Sequence, residues 1–168
     1  MKDIRLTRTA EAMIRYDSGC PKRIQHFLKV HEFASLIAEM EKVDEETSFI
    51  IEAAALVHDI GIKNAIEKYG SEAGPYQEEL GPDECRRLLN EVGGYTDAEI
   101  ERIAYLVGRH HTYTNVDGID CRILIEADFL VNLYESEVRY KGILAAEKNI
   151  FETESGKWIL HEQFGIAA

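Results

Sequence analysis

Apolar residues recur with a helical period along most of this chain. The clearest stripe starts at Pro21, and proline suits the first turn of a helix because the N–H groups of that turn have no partner within the helix. Asp44, followed by Thr47, is a typical start for the next helix, since an aspartate side chain accepts hydrogen bonds from free N–H groups. The two stripes comprise Ile24, Phe27, Val30, Phe33, Ala34, Ile37 and Met40, and then Phe49, Ile50, Ala53, Ala54 and Val57.

Glycine and proline residues interrupt the helical pattern in the next part of the chain. Residues 60–81 contain several glycines and Pro75, which predicts a long connection with at most a short helix near Ala65–Tyr69. Pro82 is followed by two acidic residues and predicts the start of another helix, which Gly93 and Gly94 then end.

The remaining segments also have helical spacing. Thr96 and Glu99 form the pattern of a capping box, a turn covers 115–118, and an apolar-rich helix follows at Ile119–Leu133. Two amphipathic segments cover about 136–151 and 156–164. The pattern predicts an all-α, single-domain helical bundle over residues 1–168, with its core at about 21–134 and C-terminal helices over 135–168 packed on that core.

Length and charge limit the classes of protein to which the chain can belong. Its 168 residues suit one domain. Nineteen Lys and Arg residues stand against 31 Asp and Glu residues, and the resulting net charge of −12 opposes a main role in binding nucleic acid. A small anionic substrate stays compatible with this charge, because a bound cation reverses the local field within a cleft.

Cysteine usage and the chain start indicate the compartment. The three cysteines, Cys20, Cys85 and Cys121, are an odd number without a CxxC pair, which predicts free thiols in a reducing environment. Residues 1–19 carry charges throughout and lack the apolar segment of a signal peptide, and no window suits a transmembrane helix. We therefore expect a cytoplasmic protein that makes no use of a membrane.

Two histidines stand where the helical pattern calls for apolar residues. His26 shares a helix face with Val30 and Ile37, whereas His31, five positions further, falls off that stripe. His58 extends the apolar face of the next helix by one turn, and Asp59 follows it directly. Each histidine taken alone is compatible with a core residue that is hydrogen-bonded to the backbone.

Further along the chain, Asp128 and His110 also stand where the helical pattern calls for apolar residues. Asp128 shares a face with Leu124 and Val131, and no Lys or Arg lies one turn away from it. A buried carboxylate must find a cation or take up a proton, so its partner has to come from another helix. His110 ends an apolar stripe in the same way, with His111 beside it.

These inward-facing side chains predict a metal site. Imidazole and carboxylate together suit Mn²⁺, Fe²⁺, Co²⁺, Ni²⁺ or Zn²⁺ with open water positions. The absence of cysteine from the set opposes a structural tetrahedral zinc site. The alternative is a buried network of His–Asp hydrogen bonds without metal.

Four segments resemble one known family. RIQHFLKVHEFASLIAEM, AAALVHDIGI, LVGRHHTY and ILIEADFLVN are similar to segments of the HD-domain superfamily of metal-dependent phosphohydrolases. The resemblance spans roughly residues 23–134, and FETESGKWIL near the end is also similar to bacterial members. It implies an all-helical fold and hydrolysis of phosphate esters.

The resemblance also implies roles for individual residues. The metal ligands fall on His26, His58, Asp59 and Asp128, while the neighbours His110 and His111 correspond to paired histidines that ligate a metal or face the substrate. Asp59, His110, His111 and Asp128 are the expected catalytic set, in which His110 or His111 donates to the phosphoryl group or leaving oxygen. Asp128 or Glu67 is expected to orient the attacking water.

Two positions depart from the family pattern. Members with two metals usually carry a histidine just before the glycine of the following helix, but Leu80 precedes Gly81 here. We therefore expect one metal, and a second only if Glu78 or Glu79 replaces that histidine. Many members have lysine directly after His-Asp-x-Gly, whereas this chain has Ile62 there and Lys63 next. The candidate phosphate-binding residues are Lys63, Arg23 and Arg109.

The expected function is hydrolysis of a nucleotide or another small phosphorylated metabolite by a metal-activated water. The two departures motivate an alternative, a metal-containing nucleotide-binding or regulatory module with little catalysis. A di-iron oxygenase is a further alternative, because a few relatives of this fold perform that reaction.

The C-terminal segment adds apolar residues that are expected mainly to cover the core. A homodimer interface is the alternative use of this surface. The residues are Tyr134, Tyr140, Ile143, Leu144, Ile150, Phe151, Trp158, Ile159, Leu160 and Phe164.

Overall fold

The computed structural model describes residues 3–167, and within that range the chain is all-helical. This confirms the predicted fold class. The nine helices of the described residues are α1 (Ile4–Tyr16), α2 (Pro21–Met40), α3 (Glu45–Val57), α4 (Ile62–Tyr69), α5 (Gly74–Val92), α6 (Asp97–Val107), α7 (Gly118–Glu135), α8 (Tyr140–Asn149) and α9 (Glu154–Phe164).

Helix α3 lies at the centre of the bundle and contacts α1, α2, α6 and α7. Its residues from Ile50 to Val57 are buried except for Glu52, which is partly exposed. Three consecutive alanines in this helix leave little side-chain volume, so the neighbouring helices can approach it closely. The helix begins as predicted, because the Asp44 side chain accepts a hydrogen bond from the N–H of Thr47 at 2.9 Å.

The prediction for residues 74–82 is wrong. Helix α5 begins at Gly74 and runs through Pro82, with Pro75 rather than Pro82 in its first turn. Gly81 precedes Pro82, and because Gly81 has no Cβ, one of the clashes that normally keep the residue before proline out of a helix is absent. A proline in the first turn therefore does mark the start of this helix, but that proline is Pro75 and not Pro82.

Gly61 and Gly81 allow α4 and α5 to meet almost backbone to backbone. A Cβ at Gly61 would lie 2.7 Å from the carbonyl oxygen of Gln77 and 2.9 Å from the nitrogen of Gly81. A Cβ at Gly81 would lie 2.7 Å from Cγ1 of Val107 on α6. This close packing sets the position of the chain that follows His58 and Asp59.

Helix α1 is an element that the sequence patterns did not single out. The Asp3 side chain caps it, and Leu6, Ala10 and Met13 are buried against the rest of the bundle. The predicted capping box of Thr96 and Glu99 is present at the start of α6. The predicted helix at 119–133 is also confirmed, as α7.

The C-terminal helices contribute to the same buried cluster as the rest of the chain. Ile143, Ile150, Phe151, Ile159 and Leu160 belong to this core. The aromatic residues Tyr134, Tyr140 and Trp158 instead stay exposed. Across residues 3–167, no helix has both the length and the apolar composition that crossing a membrane requires.

Candidate metal centre

Four donor atoms from α2, α7 and the end of α3 converge at one point in the bundle. Nε2 of His26 lies 3.2 Å from Nε2 of His58, 3.1 Å from Oδ1 of Asp128 and 3.3 Å from Oδ2 of Asp59. Nε2 of His58 lies 3.4 Å from the same Asp59 oxygen and 3.5 Å from the Asp128 oxygen. The structure thus brings together the four residues that were predicted as metal ligands.

Helix ends orient two of the histidines in the same way. The last carbonyl groups of a helix have no partner within it. Nδ1–H of His58 donates to the carbonyl of Ala55 at 2.7 Å, and Nδ1–H of His110 donates to the carbonyl of Val107 at 2.8 Å. Because a carbonyl oxygen only accepts, each ring in its neutral form carries its proton on Nδ1 and directs an unprotonated Nε2 into the centre.

His26 reaches the same orientation by a different route, since it lies within α2. Its Nδ1–H donates to Oε2 of Glu135 at 2.9 Å. Its Nε2 therefore also faces the centre without a proton when the ring is neutral.

The donor set fits a divalent cation. Lone pairs of imidazole nitrogens and carboxylate oxygens face one another there, and only a positive charge can satisfy them together. Nε2 of His110 lies 3.4 Å from Oδ1 of Asp59, and this buried nitrogen has no hydrogen-bond partner anywhere in the described residues. Metal bonds of about 2.1 Å place neighbouring ligand atoms about 3.0 to 3.4 Å apart, close to the distances observed.

The electrostatic field of the site also favours a cation. Burial lowers the pKa of His26, but Asp128, Asp59 and Glu135 outweigh that effect and raise the pKa to about 9. For the Asp59 carboxyl, burial raises the pKa, but His58 and His110 lower it to about 2. For Asp128, the contacts with His26 and His58 outweigh burial and hold the pKa well below its usual range. The site therefore attracts positive charge, which a proton or a metal ion can supply.

His111 is held differently from the other histidines. Its Nε2–H donates to Oε1 of Gln77 at 3.1 Å, and its Nδ1 lies 3.4 Å from the hydroxyl of Tyr113. Burial and the nearby His110 lower the pKa of His111 to about 4, so the ring is neutral at physiological pH. With its one N–H directed at Gln77, the neutral His111 ring has only Nδ1 left, which is an acceptor and has the Tyr113 hydroxyl beside it.

Glu78 and Glu79, the carboxylates on which a second metal would depend, have other partners. Glu78 accepts hydrogen bonds from the N–H of His111 and from the hydroxyl of Thr112. Glu79 is bound by Lys68 and by the hydroxyl of Tyr69 at the surface. The second group that can hold a metal instead consists of Asp59, His110 and His111, whose donor atoms lie within 4.8 Å of one another.

The three candidate phosphate-binding cations have different surroundings. Nζ of Lys63 donates to the carbonyl of Tyr16 and lies 4.5 Å from the centre of its ring. Arg109 is exposed, with its guanidinium 5.6 Å from the ring centre of Tyr105.

Arg23 is the third candidate. Its Nε donates to Sγ of Cys20 at 3.2 Å, and Nη1 lies 3.6 Å from Oδ1 of Asp17. Both Nη1 and that Asp17 oxygen are buried and lack a hydrogen-bond partner within residues 3–167. Burial raises the pKa of Asp17, although Arg23 and Lys63 counteract that effect.

His31 and Glu67 lie apart from the centre. His31 lies off the apolar stripe, which predicted an exposed side chain, yet it is buried. Its Nε2 contacts Oε2 of Glu52 at 2.8 Å and not the donor atoms of the centre. Glu67 is exposed on α4. Of these two histidines, His26 and not His31 belongs to a group that could hold a metal within residues 3–167.

Three residues near the centre were missed by the sequence patterns: Glu135, Asp17 and Gln77. A signal for the first was present, because Asp128, Asn132 and Glu135 have the i, i+4, i+7 spacing of one helix face. The side-chain N–H of Asn132 donates to Oδ1 of Asp128 at 2.8 Å. Asp17 and Gln77 carry no such periodic signal, since they enter the site from the end of α1 and from the first turns of α5.

A family described as HD domain matches residues 23–133. A crystal structure of a predicted HD superfamily hydrolase from an uncultured Thermotogales bacterium is similar in fold, with a TM-score of 0.62 and 24% sequence identity. The match covers 96% of this chain and 84% of that one. No curated protein matches the chain significantly.

Proposed function

Because the chain belongs to the HD-domain family, we propose that it is a metal-dependent phosphohydrolase that acts on a nucleotide or another small phosphorylated metabolite. Membership in this family and the clusters of His and Asp residues support a metal-dependent hydrolase. The phosphate ester as substrate is the more specific part of the proposal.

One observation carries the proposal, namely the convergence of imidazole nitrogens and carboxylate oxygens on one point that attracts positive charge. His26, His58, Asp59 and Asp128 would hold the metal. A divalent ion bound there supplies a Lewis acid for a phosphoryl oxygen and makes a bound water more acidic. Mn²⁺, Fe²⁺, Co²⁺, Ni²⁺ and Zn²⁺ all suit this donor set.

The residues beside these ligands define further roles. Asp59 directs one oxygen toward His26 and His58 and the other toward His110. Together with His111, Asp59 and His110 offer a position for a second metal. If only one metal binds, Nε2 of His110 remains an acceptor for a water or a substrate hydroxyl.

Arg23 is the best candidate to bind a substrate phosphate. Its Nη1 lacks a hydrogen-bond partner among the described residues, and it lies one helical turn before His26 on α2. Lys63 instead uses its ammonium group on the carbonyl of Tyr16, and Arg109 lies exposed against Tyr105. The acidic balance of the chain, −12, favours a small substrate over a polynucleotide.

The test is turnover by the metal-loaded protein. Protein stripped with a chelator and reloaded in turn with Mn²⁺, Co²⁺, Ni²⁺ and Zn²⁺ should hydrolyse an aryl phosphate or members of a nucleotide panel, with release of phosphate or of a nucleotide product. Asp59→Asn should abolish turnover, and Arg23→Gln should raise KM more than it lowers kcat. Tight nucleotide binding without product, measured by calorimetry on the loaded protein, would support the regulatory module instead.

A further inference from the structure

We infer that Glu135 is a positioning residue, which holds the His26 imidazole in place and strengthens it as a metal ligand. This inference rests on the proposed function, because it assumes that the centre binds a metal. Glu135 is the last residue of α7, and its Oε2 accepts the Nδ1–H of His26 at 2.9 Å. Its other oxygen, Oε1, lies 2.7 Å from Nζ of Lys29.

The need for this carboxylate follows from the place of His26 in its helix. His58 and His110 lie at helix ends, where free backbone carbonyls orient their rings. His26 lies in the second turn of α2, where backbone carbonyls are bonded to N–H groups further along the helix. An acceptor for its Nδ1–H must therefore come from another element, and α7 supplies it.

The acceptor is also charged, unlike the carbonyls behind the other two rings. A carboxylate behind an imidazole fixes its tautomer and makes the opposite nitrogen a stronger donor to a metal. Among the three histidines that direct Nε2 toward the centre, His26 alone has such a partner in the part of the chain that the structure describes. Glu135 should therefore affect metal affinity and not only local packing.

Lys29 partly neutralises the Glu135 carboxylate and so reduces the negative charge that acts on His26. Lys29 lies one turn after His26 on α2, so the two residues hold the Glu135 carboxylate between them. The Glu135 side chain is 15% exposed and that of Lys29 is 40% exposed, which places this chain of contacts between the solvent and the centre. Removal of the lysine charge should leave the carboxylate more strongly negative toward His26.

The molecule contains a matched control for this arrangement. His31 lies on the same helix, is also buried, and its Nε2 contacts a carboxylate oxygen of Glu52 at 2.8 Å. Neither residue belongs to a group that can hold a metal within residues 3–167. Loss of the Glu52 charge should therefore affect stability without affecting metal affinity.

The experiment compares Glu135→Gln with Glu52→Gln in the full chain. Dissociation constants for Mn²⁺ and Zn²⁺ are measured by competition with a chromogenic chelator, and helicity is checked by circular dichroism with and without metal. Glu135→Gln should weaken metal binding about 10- to 100-fold, while Glu52→Gln should stay within about threefold of the parent. An unchanged affinity in Glu135→Gln, or an equal loss in both variants, would overturn the inference.

Lys29→Met gives a second measurement if Glu135→Gln folds poorly. It keeps the carboxylate and removes only its competing cation, so metal affinity should be equal to or tighter than that of the parent. A loss greater than about threefold would contradict the proposed role. Metal affinity needs no turnover, so an inactive protein whose affinity still depends on Glu135 would overturn the proposed function and leave this inference standing.

Discussion

Nε2 of His26 and Nε2 of His58 lie 3.2 Å apart, although both rings have used their Nδ1–H groups elsewhere. Two neutral imidazoles in this arrangement direct lone pairs at each other, which only a cation between them can stabilise. We therefore predict that His58→Ala abolishes metal binding, with metal per chain measured by elemental analysis after dialysis. His31→Gln should keep the metal of the parent protein, and loss of metal in both variants would contradict the assignment.

Metal loading should raise the thermal stability of the protein. A ligand that binds only the folded chain adds about 2.7 kcal/mol to the free energy of unfolding when its free concentration is 100 times its dissociation constant. The midpoint of thermal unfolding, followed by circular dichroism, should rise when Mn²⁺ or Zn²⁺ is added to chelator-treated protein. Asp128→Asn should remove most of this rise, and an equal rise in that variant would place the stabilising ion elsewhere.

Gly61→Ala should destabilise the fold by about 1–3 kcal/mol, the range for overpacking of a tight contact. The new Cβ would lie 2.7 Å from the backbone oxygen of Gln77, which cannot move without α5. Denaturant unfolding measures the change. For Gly81→Ala the clash is with the side chain of Val107 instead, so adding Val107→Ala should relieve part of its cost but none of the cost of Gly61→Ala.

Thr96→Ala should cost about 1 kcal/mol of stability, because it removes the side chain that caps α6. The hydroxyl of Thr96 accepts the N–H of Glu99 at 3.2 Å, and the Glu99 carboxylate accepts the N–H of Thr96 at 2.7 Å. Thr96→Ser keeps both contacts and should stay close to the parent in denaturant unfolding. A similar loss in both variants would show that the Thr96 methyl group, and not the cap, carries the effect.

The three cysteines should differ sharply in reactivity toward iodoacetamide. Hydrogen bonds from Arg23 lower the pKa of the partly exposed Cys20 thiol, so a larger fraction is thiolate near pH 8. Burial raises the pKa of Cys85 to about 12, which leaves it protonated at that pH. Mass spectrometry should therefore find Cys20 alkylated first.

A substitution tests the cause of this difference. Arg23→Gln should raise the pH at which Cys20 is half-maximally labelled, since the thiolate loses its cationic neighbour. A labelling profile unchanged by this substitution would exclude the Arg23 side chain as the cause and leave the backbone N–H of residue 23.

The sequence pattern correctly predicted those features that depend on a single segment of the chain. The capping box of Thr96, the helix from Pro21 and the inward faces of His26, His58 and Asp128 all depend on positions within one helix. Local pattern failed at Pro82, because a helix continues through a proline only when contacts elsewhere compensate for it. Here α5 packs against the chain at Gly61 and against α6 at Val107.

The sequence by itself determined the all-helical class and the inward faces of His26, His58 and Asp128, because both follow from the spacing of apolar residues along a single segment. Only the tertiary structure decided which partners those side chains have. It placed Glu135 of α7 behind His26 and Gln77 of α5 on His111. It also left Nη1 of Arg23 without a hydrogen-bond partner within the described residues, while Lys63 binds Tyr16. These contacts join residues far apart in the chain, so they depend on how the helices pack together.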